Sequence, residues 1–221
     1  MNVLVLGGTG PLGLCILSQL VEAKHKPDFP VKLDTITAVV RPESKKKVSD
    51  DVLAGLRLIE GSLLNDATMT QALENQNVII VTVGHGSVCH ESMELLNARA
   101  NVSPAHRIVV VTSLGTNESY DECNFFTKTL VSTLLRTEIG HKKIQEDLLR
   151  SGPYSTSETK DYVLVRPGGL TDSETTGVYT AAERGIAGGR ITRGNVAHFI
   201  VNELVPGKKG DKYSNKTFQL V

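Results

Sequence analysis

The sequence predicts an α/β fold in which a doubly wound parallel sheet carries helices on both faces. Apolar runs typical of strands alternate with helical patterns along nearly the whole chain, and continuous Val/Ile/Leu strands are typical of parallel sheets that are buried on both faces. A glycine-rich turn joins the first strand to the first helix. The 221 residues show no repeat and no shift of composition. We therefore expect one domain over residues 1–221, with a small C-terminal region on the substrate side.

The predicted elements follow from the spacing of apolar residues. Strands are predicted at residues 3–6, 35–40, 56–60, 78–83, 107–112, 162–166 and 217–221. Helices are predicted near residues 12–23, 67–73, 92–100 and 125–150. A further helix follows Asn195, which is interpreted as its N-cap because asparagine side chains accept hydrogen bonds from free helical N–H groups. The polar segment 151–160 is expected to be an exposed loop.

The turn after the first strand carries the clearest functional motif. Gly7, Gly10 and Gly13 match G-x-x-G-x-x-G, and with Gly8 in the first place the turn also matches G-x-G-x-x-G. Such glycines turn the chain tightly and let the backbone approach a dinucleotide pyrophosphate at a helix N-terminus. No Gly-Lys-Ser/Thr closes the motif, which argues against a P-loop. The predicted cofactor contacts in this turn are Gly7, Thr9, Gly10, Pro11, Leu12 and Gly13.

The residues after the second strand indicate which dinucleotide is bound. NAD-binding proteins usually place an acidic residue here, against the ribose 2′-hydroxyl, but Asp34 precedes the strand and belongs to its other end. Arg41, Ser44 and Lys45 follow the strand instead. A guanidinium with a nearby hydroxyl and ammonium suits a 2′-phosphate through charge-assisted hydrogen bonds. This pattern favours NADP(H) over NAD(H).

The remaining strand ends extend the predicted site, because in a doubly wound sheet the ligand lies along the carboxyl ends of the strands. Near the adenine we expect Ser62 and Leu63. Under the adenosine ribose and the pyrophosphate we expect Val83, Gly84 and His85. Toward the nicotinamide we expect Thr112, Ser113, Pro167, Gly168, Gly169 and Leu170.

Several segments match one known protein group when they are taken together. They are GGTGPLG at the start, Arg41 with Ser44 and Lys45, VTS at 111–113, HKKIQEDLLRSG at 141–152, VRPGGLTD at 165–172, ITRGNVAHF at 191–199 and the closing NKTFQL. With them the chain resembles the atypical short-chain dehydrogenases/reductases that have an NAD(P)-binding, NmrA-like domain. Within that group it is most similar to the branch of flavin reductases that includes the biliverdin reductase B type. The resemblance implies a Rossmann-like fold and an NADPH-dependent reductase.

The chain departs from the pattern of these relatives at two positions. Many of them carry an Asp that binds adenine where this chain has Ser62. The biliverdin reductase B type carries a histidine where this chain has Gly169. The adenine contact is therefore expected to differ, and the resemblance does not indicate that this chain shares the substrate of these relatives.

The residues that could act on a substrate are few. Ordinary members of the broader family use a Tyr-x-x-x-Lys pair, but none of the five tyrosines has lysine four residues on, and the aligned helix positions hold Thr137 and His141. Hydride transfer to a flavin or quinone-like acceptor asks mainly for stacking and exclusion of water. Ser113 is the candidate to hydrogen-bond the nicotinamide or substrate, or else a strand-end cap. His141 is the candidate to hold the nicotinamide ribose or relay a proton, or else a helix-surface histidine. His85, His90 and His106 are interpreted as surface loop residues.

Composition limits the other classes of function. The 24 basic and 24 acidic residues cancel, which argues against a nucleic-acid partner. No apolar run approaches the roughly 20 residues of a membrane span. Three scattered cysteines show no metal-ligand spacing, so no metal is expected. Since a core strand opens the chain, we expect no leader and a cytoplasmic protein.

Two hypotheses of different class follow. The first is an NADPH-dependent reductase that passes hydride to a flavin, a quinone-like compound or a related planar small-molecule acceptor. The second is a non-catalytic NADP(H)-binding redox sensor of the NmrA type, which alone would require a protein partner. The missing Tyr-x-x-x-Lys pair favours the second and the compact chain favours the first.

Overall fold

The computed structural model describes residues 1–221 and contains a main sheet of eight strands. With strands numbered along the chain, these are β1 (Asn2–Leu6), β2 (Thr35–Val40), β3 (Leu56–Glu60), β4 (Val78–Val81), β5 (Arg107–Val111), β6 (Asp161–Pro167), β8 (Ala181–Ala182) and β10 (Lys216–Leu220). Two short strands, β7 (Gly169–Thr171) and β9 (Arg190–Thr192), pair separately. The order across the main sheet is β3-β2-β1-β4-β5-β6-β10-β8, and β8 alone runs antiparallel to its neighbour. The predicted doubly wound α/β fold is confirmed, with its switch point between β1 and β4.

Nine α-helices connect or cover the strands. They are α1 (Pro11–Lys24), α2 (Asp50–Ala54), α3 (Asp66–Leu73), α4 (Val88–Ala98), α5 (Ser119–Glu122), α6 (Phe125–Ser132), α7 (Arg136–Ser151), α8 (Pro153–Thr156) and α9 (Arg193–Phe199). Short 3₁₀ helices form at Pro42–Lys47 and Ala100–Val102, and a π-helical segment, Ile200–Leu204, continues α9. None of these helices has both the length and the apolar character needed to cross a membrane.

The core forms on both faces of the sheet because successive strand residues point to opposite sides. On β1, Val3 and Val5 pack into the cluster that includes residues of α1 and α9, while Leu4 and Leu6 pack into the cluster with α3, α4 and α7. All four side chains are almost fully buried. Burial of each stabilises the fold by about 1.5–3 kcal/mol, so a central strand of this composition fixes the sheet between two helical layers.

The helix predicted over residues 125–150 is divided into α6 and α7, so that prediction was wrong. The backbone leaves the helical conformation at Thr133, where φ is −109° and ψ is −80°. The hydroxyls of Ser132 and Thr133 donate to the carbonyl oxygen of Thr129, at 3.2 and 2.6 Å. Serine and threonine hydroxyls that bond the backbone in this way compete with the helical ladder. The break sets α6 apart from the long helix that packs on the sheet.

The segment 151–160, predicted to be an exposed loop, is anchored in the core. It contains α8, and the ring of Tyr154 is completely buried. Lys160 lies over that ring, 4.9 Å from its centroid, and donates to the carbonyl oxygens of Ala100 and Ser103. The segment is polar overall, so its composition predicts an exposed loop. Burial of the single Tyr154 ring nevertheless anchors it to the core.

The N-cap of α9 is Thr192 and not Asn195, so that prediction was also wrong. The Thr192 side chain accepts a hydrogen bond from the N–H of Asn195, at 3.0 Å. Asn195 lies inside the helix and is buried. Its amide oxygen accepts from the N–H groups of Thr176 and Gly177, both at 3.0 Å, so its side chain fastens the preceding loop to α9.

Candidate active site

The predicted site residues share one edge of the sheet. Because β1 to β6 are parallel, the segments that follow them all lie at their carboxyl ends. The fold brings these segments to the edge where doubly wound sheets bind ligands. By strand, the predicted residues are Gly7 to Gly13 after β1, Arg41, Ser44 and Lys45 after β2, Ser62 and Leu63 after β3, Val83 to His85 after β4, Thr112 and Ser113 after β5, and Pro167 to Leu170 at the end of β6 and in β7.

The glycine turn is fastened to the end of β4. Gly7 has φ of +84°, a conformation that favours glycine. The hydroxyl of Thr82 is 3.1 Å from the carbonyl oxygens of both Leu6 and Gly7. A Cβ at Gly7 would be 2.9 Å from that hydroxyl and from the backbone nitrogen of Val83. The turn is therefore set by close packing between the segments after β1 and β4.

Two glycines of the motif differ in what surrounds them. A Cβ at Gly13 would lie 2.3 Å from the carbonyl oxygen of Gly7 and 2.7 Å from Cα of Gly8, so α1 packs on the turn only with glycine there. A Cβ at Gly10 would meet only the Gly7 carbonyl oxygen, at 3.3 Å. Gly10 is the N-cap of α1, and Pro11 is the first residue of the helix. The space at Gly10 therefore adjoins free helical N–H groups and fits the pyrophosphate of a dinucleotide.

At the β2 end of this edge, both cations predicted for the 2′-phosphate lie beside carboxylates. The Arg41 guanidinium is exposed, with Nε 3.4 Å from Glu43. Lys45 Nζ is 3.0 Å from Glu60 Oε1. Ser44, which lies between Arg41 and Lys45 in sequence, is buried. Asp34 precedes β2, as expected, and pairs with the N-terminal ammonium.

The segment after β3 lies next to these cations. Ser62 is exposed and its hydroxyl accepts from the N–H of Leu64, at 3.2 Å, while Leu63 is half-buried. This is a tight turn ahead of α3, and it leaves the Ser62 side chain at the solvent boundary.

The opposite end of the edge is built from the segments after β5 and β6. The N–H of Leu114 donates to the carbonyl oxygen of Pro167, at 2.9 Å, which ties the two segments together. The Ser113 hydroxyl donates to the carbonyl oxygen of Leu114, at 3.1 Å. Gly168 packs against the backbone of Gly189, since a Cβ there would be 2.6 Å from its carbonyl oxygen. Gly169 and Leu170 belong to β7.

A buried charge network that the sequence analysis missed supports this end. Glu146 of α7 and Arg166 of β6 are both almost fully buried. Arg166 Nε and Nη2 donate to the two carboxylate oxygens of Glu146, at 2.9 and 2.5 Å. Glu146 also accepts from the hydroxyl of Thr112, at 2.6 Å, and from the amide of Asn117, at 2.8 Å. Bidentate pairing of this kind fixes orientation, so α7 holds the residues after β5 in place.

Glu118 extends the network toward solvent. Burial acts to raise the pKa of its carboxyl, but hydrogen bonds from Arg150 and Arg166 outweigh burial and lower the pKa to about 2. The Arg150 contact measures 2.6 Å and the Arg166 contact 3.1 Å. The carboxylate is therefore held in its charged form through the whole neutral and mildly acidic range.

Lys142 is the second functional candidate that the sequence analysis missed. Its Nζ donates to the carbonyl oxygen of Thr112, at 3.1 Å, directly beyond β5. Burial lowers the pKa of this ammonium, and the carboxylates of Glu138 and Glu146 oppose the shift. The sequence does contain a pattern that could have identified Lys142. Glu138 and Glu146 lie four residues before and after it in α7, and residues four apart share a helix face.

The predicted site residue His141 lies against α4. Its ring stacks on that of His90 in α4, with centroids 5.1 Å apart and an interplanar angle of 14°. The Nδ1 atoms of both rings are buried without a hydrogen-bond partner. His90 therefore lies in a helix interface and not in a surface loop, because α4 begins at Val88 and not near residue 92. His106 is likewise half-buried, with Nε2 3.3 Å from the carbonyl oxygen of Gly207.

The segment after β4 is held by α7. The N–H of Gly86, whose φ is +61°, donates to the carboxylate of Glu138 at 3.1 Å. The ring of His85 is 95% exposed, with Nδ1 3.8 Å from the same carboxylate. Val83 is buried against the core and Gly84 is half-buried. Glu138 thus fixes the far end of the segment that contains three predicted contacts.

An exposed apolar surface borders the Ser113 end. Phe125 and Phe126 of α6 are 76% and 82% exposed, and Leu134 just beyond the helix is 81% exposed. The inward side of α6 is held close to the site, because a Cβ at Gly115 would be 2.7 Å from Val131. We call Phe125, Phe126, Leu130 and Leu134 the α6 apolar surface. A surface of this kind on a globular domain commonly marks a binding site.

Comparison with known proteins identifies the family. The model of the NAD(P)H-binding family matches residues 7–205. The chain belongs to the NAD(P)H-binding family. The matched range runs from the glycine turn through α9, so it includes every predicted site residue.

One curated protein and two solved structures are similar to this chain. A phenylcoumaran benzylic ether reductase from Pyrus communis is 31% identical over 91 residues, which cover 41% of this chain and 28% of that protein. ChuY, an anaerobillin reductase from Escherichia coli O157:H7, has 20% identity and a TM-score of 0.76, with 100% of this chain and 97% of ChuY covered. A short-chain dehydrogenase/reductase from Veillonella parvula in complex with NADP has 15% identity and a TM-score of 0.74, with 99% and 93% covered. The two structures share the fold.

Proposed function

We propose that this protein is an NADPH-dependent reductase that transfers hydride to a flavin, a quinone-like compound or a related planar acceptor. The observation that carries the proposal is the position of Gly10 at the N-terminus of α1, where a Cβ would meet only one protein atom, on the same edge of the sheet as the α6 apolar surface. The names of the benzylic ether reductase and of ChuY, and the NADP bound to the Veillonella parvula protein, support it.

In this proposal two segments of the chain hold the phosphates of the cofactor. The predicted residues of the glycine turn bind the pyrophosphate through backbone N–H groups. Arg41, Ser44 and Lys45 bind the 2′-phosphate, which makes NADP(H) the preferred cofactor. The bound nicotinamide supplies the hydride. The residues of this chain then bind, orient and protonate the acceptor.

Two polar groups lie at the end where the acceptor would react. Ser113 hydrogen-bonds the nicotinamide or the acceptor once its hydroxyl leaves the Leu114 carbonyl. Lys142 supplies the proton, since it is a half-buried ammonium with one partner among its three donors. The role predicted for His141, a contact with the nicotinamide ribose, stays part of the proposal.

The α6 apolar surface gives the acceptor its binding energy. Aromatic side chains stack on planar rings and exclude water from them. Phe125 and Phe126 stand next to each other on this surface, with ring centroids 6.0 Å apart. A planar, largely apolar acceptor fits this surface better than a small charged one.

The test is oxidation of NADPH, followed at 340 nm with FMN, a soluble quinone and dichlorophenolindophenol. Cofactor binding is measured separately by isothermal titration calorimetry. We expect turnover with at least one acceptor, and an increase in the Michaelis constant for that acceptor in Phe126→Ser, with unchanged affinity for NADPH. Tight NADPH binding without turnover would refute the reductase and favour the non-catalytic sensor, whose support is the missing Tyr-x-x-x-Lys pair. The lack of dinucleotide binding would refute both.

A further inference from the structure

The cations of the 2′-phosphate site each have a carboxylate neighbour, and one of these carboxylates comes from another strand. Glu43 is two residues from Arg41, and both side chains are 65% exposed, so their contact at 3.4 Å is a local one. Glu60 is the last residue of β3 and meets Lys45 across the edge of the sheet, at 3.0 Å. The structure records no other ion pair for Glu60.

The position of Glu60 is fixed by strand pairing. Val40 of β2 is the register partner of Glu60, and the N–H of Gly61 donates to the carbonyl oxygen of Val40 at 3.1 Å. Neighbouring strands lie about 4.8 Å apart, so Glu60 stands beside the end of β2, where Arg41 begins the phosphate site. A carboxylate at the end of β2 is what NAD-binding proteins place against the ribose 2′-hydroxyl. Glu60 lies beside that position, at the end of the adjacent strand.

We propose that Glu60 sets the cofactor selectivity of this site, by holding Lys45 as its counter-ion and by offering its own carboxylate to the 2′-hydroxyl of NADH. This inference rests on the proposed function, since it concerns the same nicotinamide dinucleotide. The 2′-phosphate of NADPH must share Lys45 with Glu60, and like charges at close range repel. NADH brings no phosphate and gains an acceptor for its hydroxyl. The site therefore binds both cofactors, with a smaller preference for NADPH than Arg41 and Lys45 alone would produce.

Lys46 and Lys47 do not replace Lys45 in this role. Both follow on the 3₁₀ helix and are exposed, and neither forms an ion pair. Their charges add positive potential around the site, and this potential attracts any phosphate. No neighbouring carboxylate holds either side chain in a fixed position. Lys45 alone among the three is oriented, and Glu60 is what orients it.

The test is the variant Glu60→Gln, which keeps the shape of the side chain and removes its charge. Dissociation constants for NADPH and NADH are measured by isothermal titration calorimetry. The control is Glu158→Gln, which makes the same charge change at an exposed residue. Glu158 precedes β6 and so lies at the amino ends of the parallel strands, away from the site. We expect Glu60→Gln to bind NADPH about fivefold more tightly and NADH about fivefold more weakly, the upper range for an exposed ion pair. Glu158→Gln should leave the ratio of the two constants unchanged.

A double-mutant cycle tests whether the effect of Glu60→Gln on NADPH binding depends on Lys45. In a Lys45→Met background, Glu60→Gln should no longer tighten NADPH binding by the same factor, because the counter-ion is gone. Circular dichroism melting checks that each variant is folded, which we expect for a half-exposed residue at a strand end. A ratio of constants that Glu60→Gln leaves unchanged, or NADPH binding that it weakens, would overturn the inference while the proposed function stands. A wild-type protein that binds neither dinucleotide would refute both.

Discussion

The substitution Gly10→Ala separates the ligand site from the fold. The backbone at Gly10 has φ of −74° and ψ of 160°, which any residue adopts, and a Cβ would meet only one protein atom, at 3.3 Å. That contact is tight, and its cost opposes the gain from restricting the unfolded chain, so we expect the free energy of unfolding to change by no more than about 1 kcal/mol. The added methyl group occupies the space that we assign to the pyrophosphate.

The expected loss of binding follows from the hydrogen bonds at stake. If the methyl group displaces the pyrophosphate from one backbone N–H, the loss is about 1.5–3 kcal/mol, the usual value for a hydrogen bond to a charged group. The dissociation constant for NADPH should then rise about 10- to 150-fold. Calorimetric titration gives the constant, and urea unfolding followed by circular dichroism gives the stability.

A matched control is Gly13→Ala in the same motif. Its Cβ would be 2.3 Å from a backbone oxygen that cannot yield easily, so this variant should lose about 1–3 kcal/mol of stability. Wild-type NADPH affinity in folded Gly10→Ala would show that the pyrophosphate does not lie at this turn. Equal loss of stability in the two variants would refute the distinction between them.

Three further predictions concern single side chains. Arg41→Ala should weaken NADPH binding by about 1.5–3 kcal/mol and barely change NADH binding, measured by calorimetry, and equal losses would contradict the phosphate assignment. Lys142→Met should lower turnover about 100-fold or more with little change in NADPH affinity. In the wild type, activity should fall as the pH rises through the lowered pKa of Lys142, and a variant with the same alkaline limb would exclude it as proton donor. The pKa of Glu118 is lowered from its ordinary value of 4.5 to about 2 in the folded protein, so its stabilising effect is present above about pH 4.5 and is lost as the pH falls toward 2. Urea midpoints at pH 7 and pH 3 should therefore differ less in Glu118→Gln than in the wild type.

Local pattern was enough to predict most of the sheet. The seven predicted strands agree with the observed ones to within two residues at either end, because continuous apolar runs leave few alternatives in a buried parallel sheet. The predictions from local pattern failed where the contacts of one or two side chains set the local structure. The hydroxyls at Ser132 and Thr133 divide the predicted helix, and Tyr154 carries a polar segment into the core. A window average over polar and apolar residues does not register single contacts of this kind.

The sequence by itself determined the fold class, the glycine turn and the edge at which the site residues lie, since periodicity and chain order depend only on neighbouring residues and on parallel pairing. The tertiary structure decided which side chains meet there. Lys45 and Glu60 are paired by the register of β2 and β3, and Glu146 and Arg166 by the angle at which α7 packs on the sheet. Strand register and helix orientation are set by the packing of the whole core, so contacts between residues distant in sequence appear only once that core is formed.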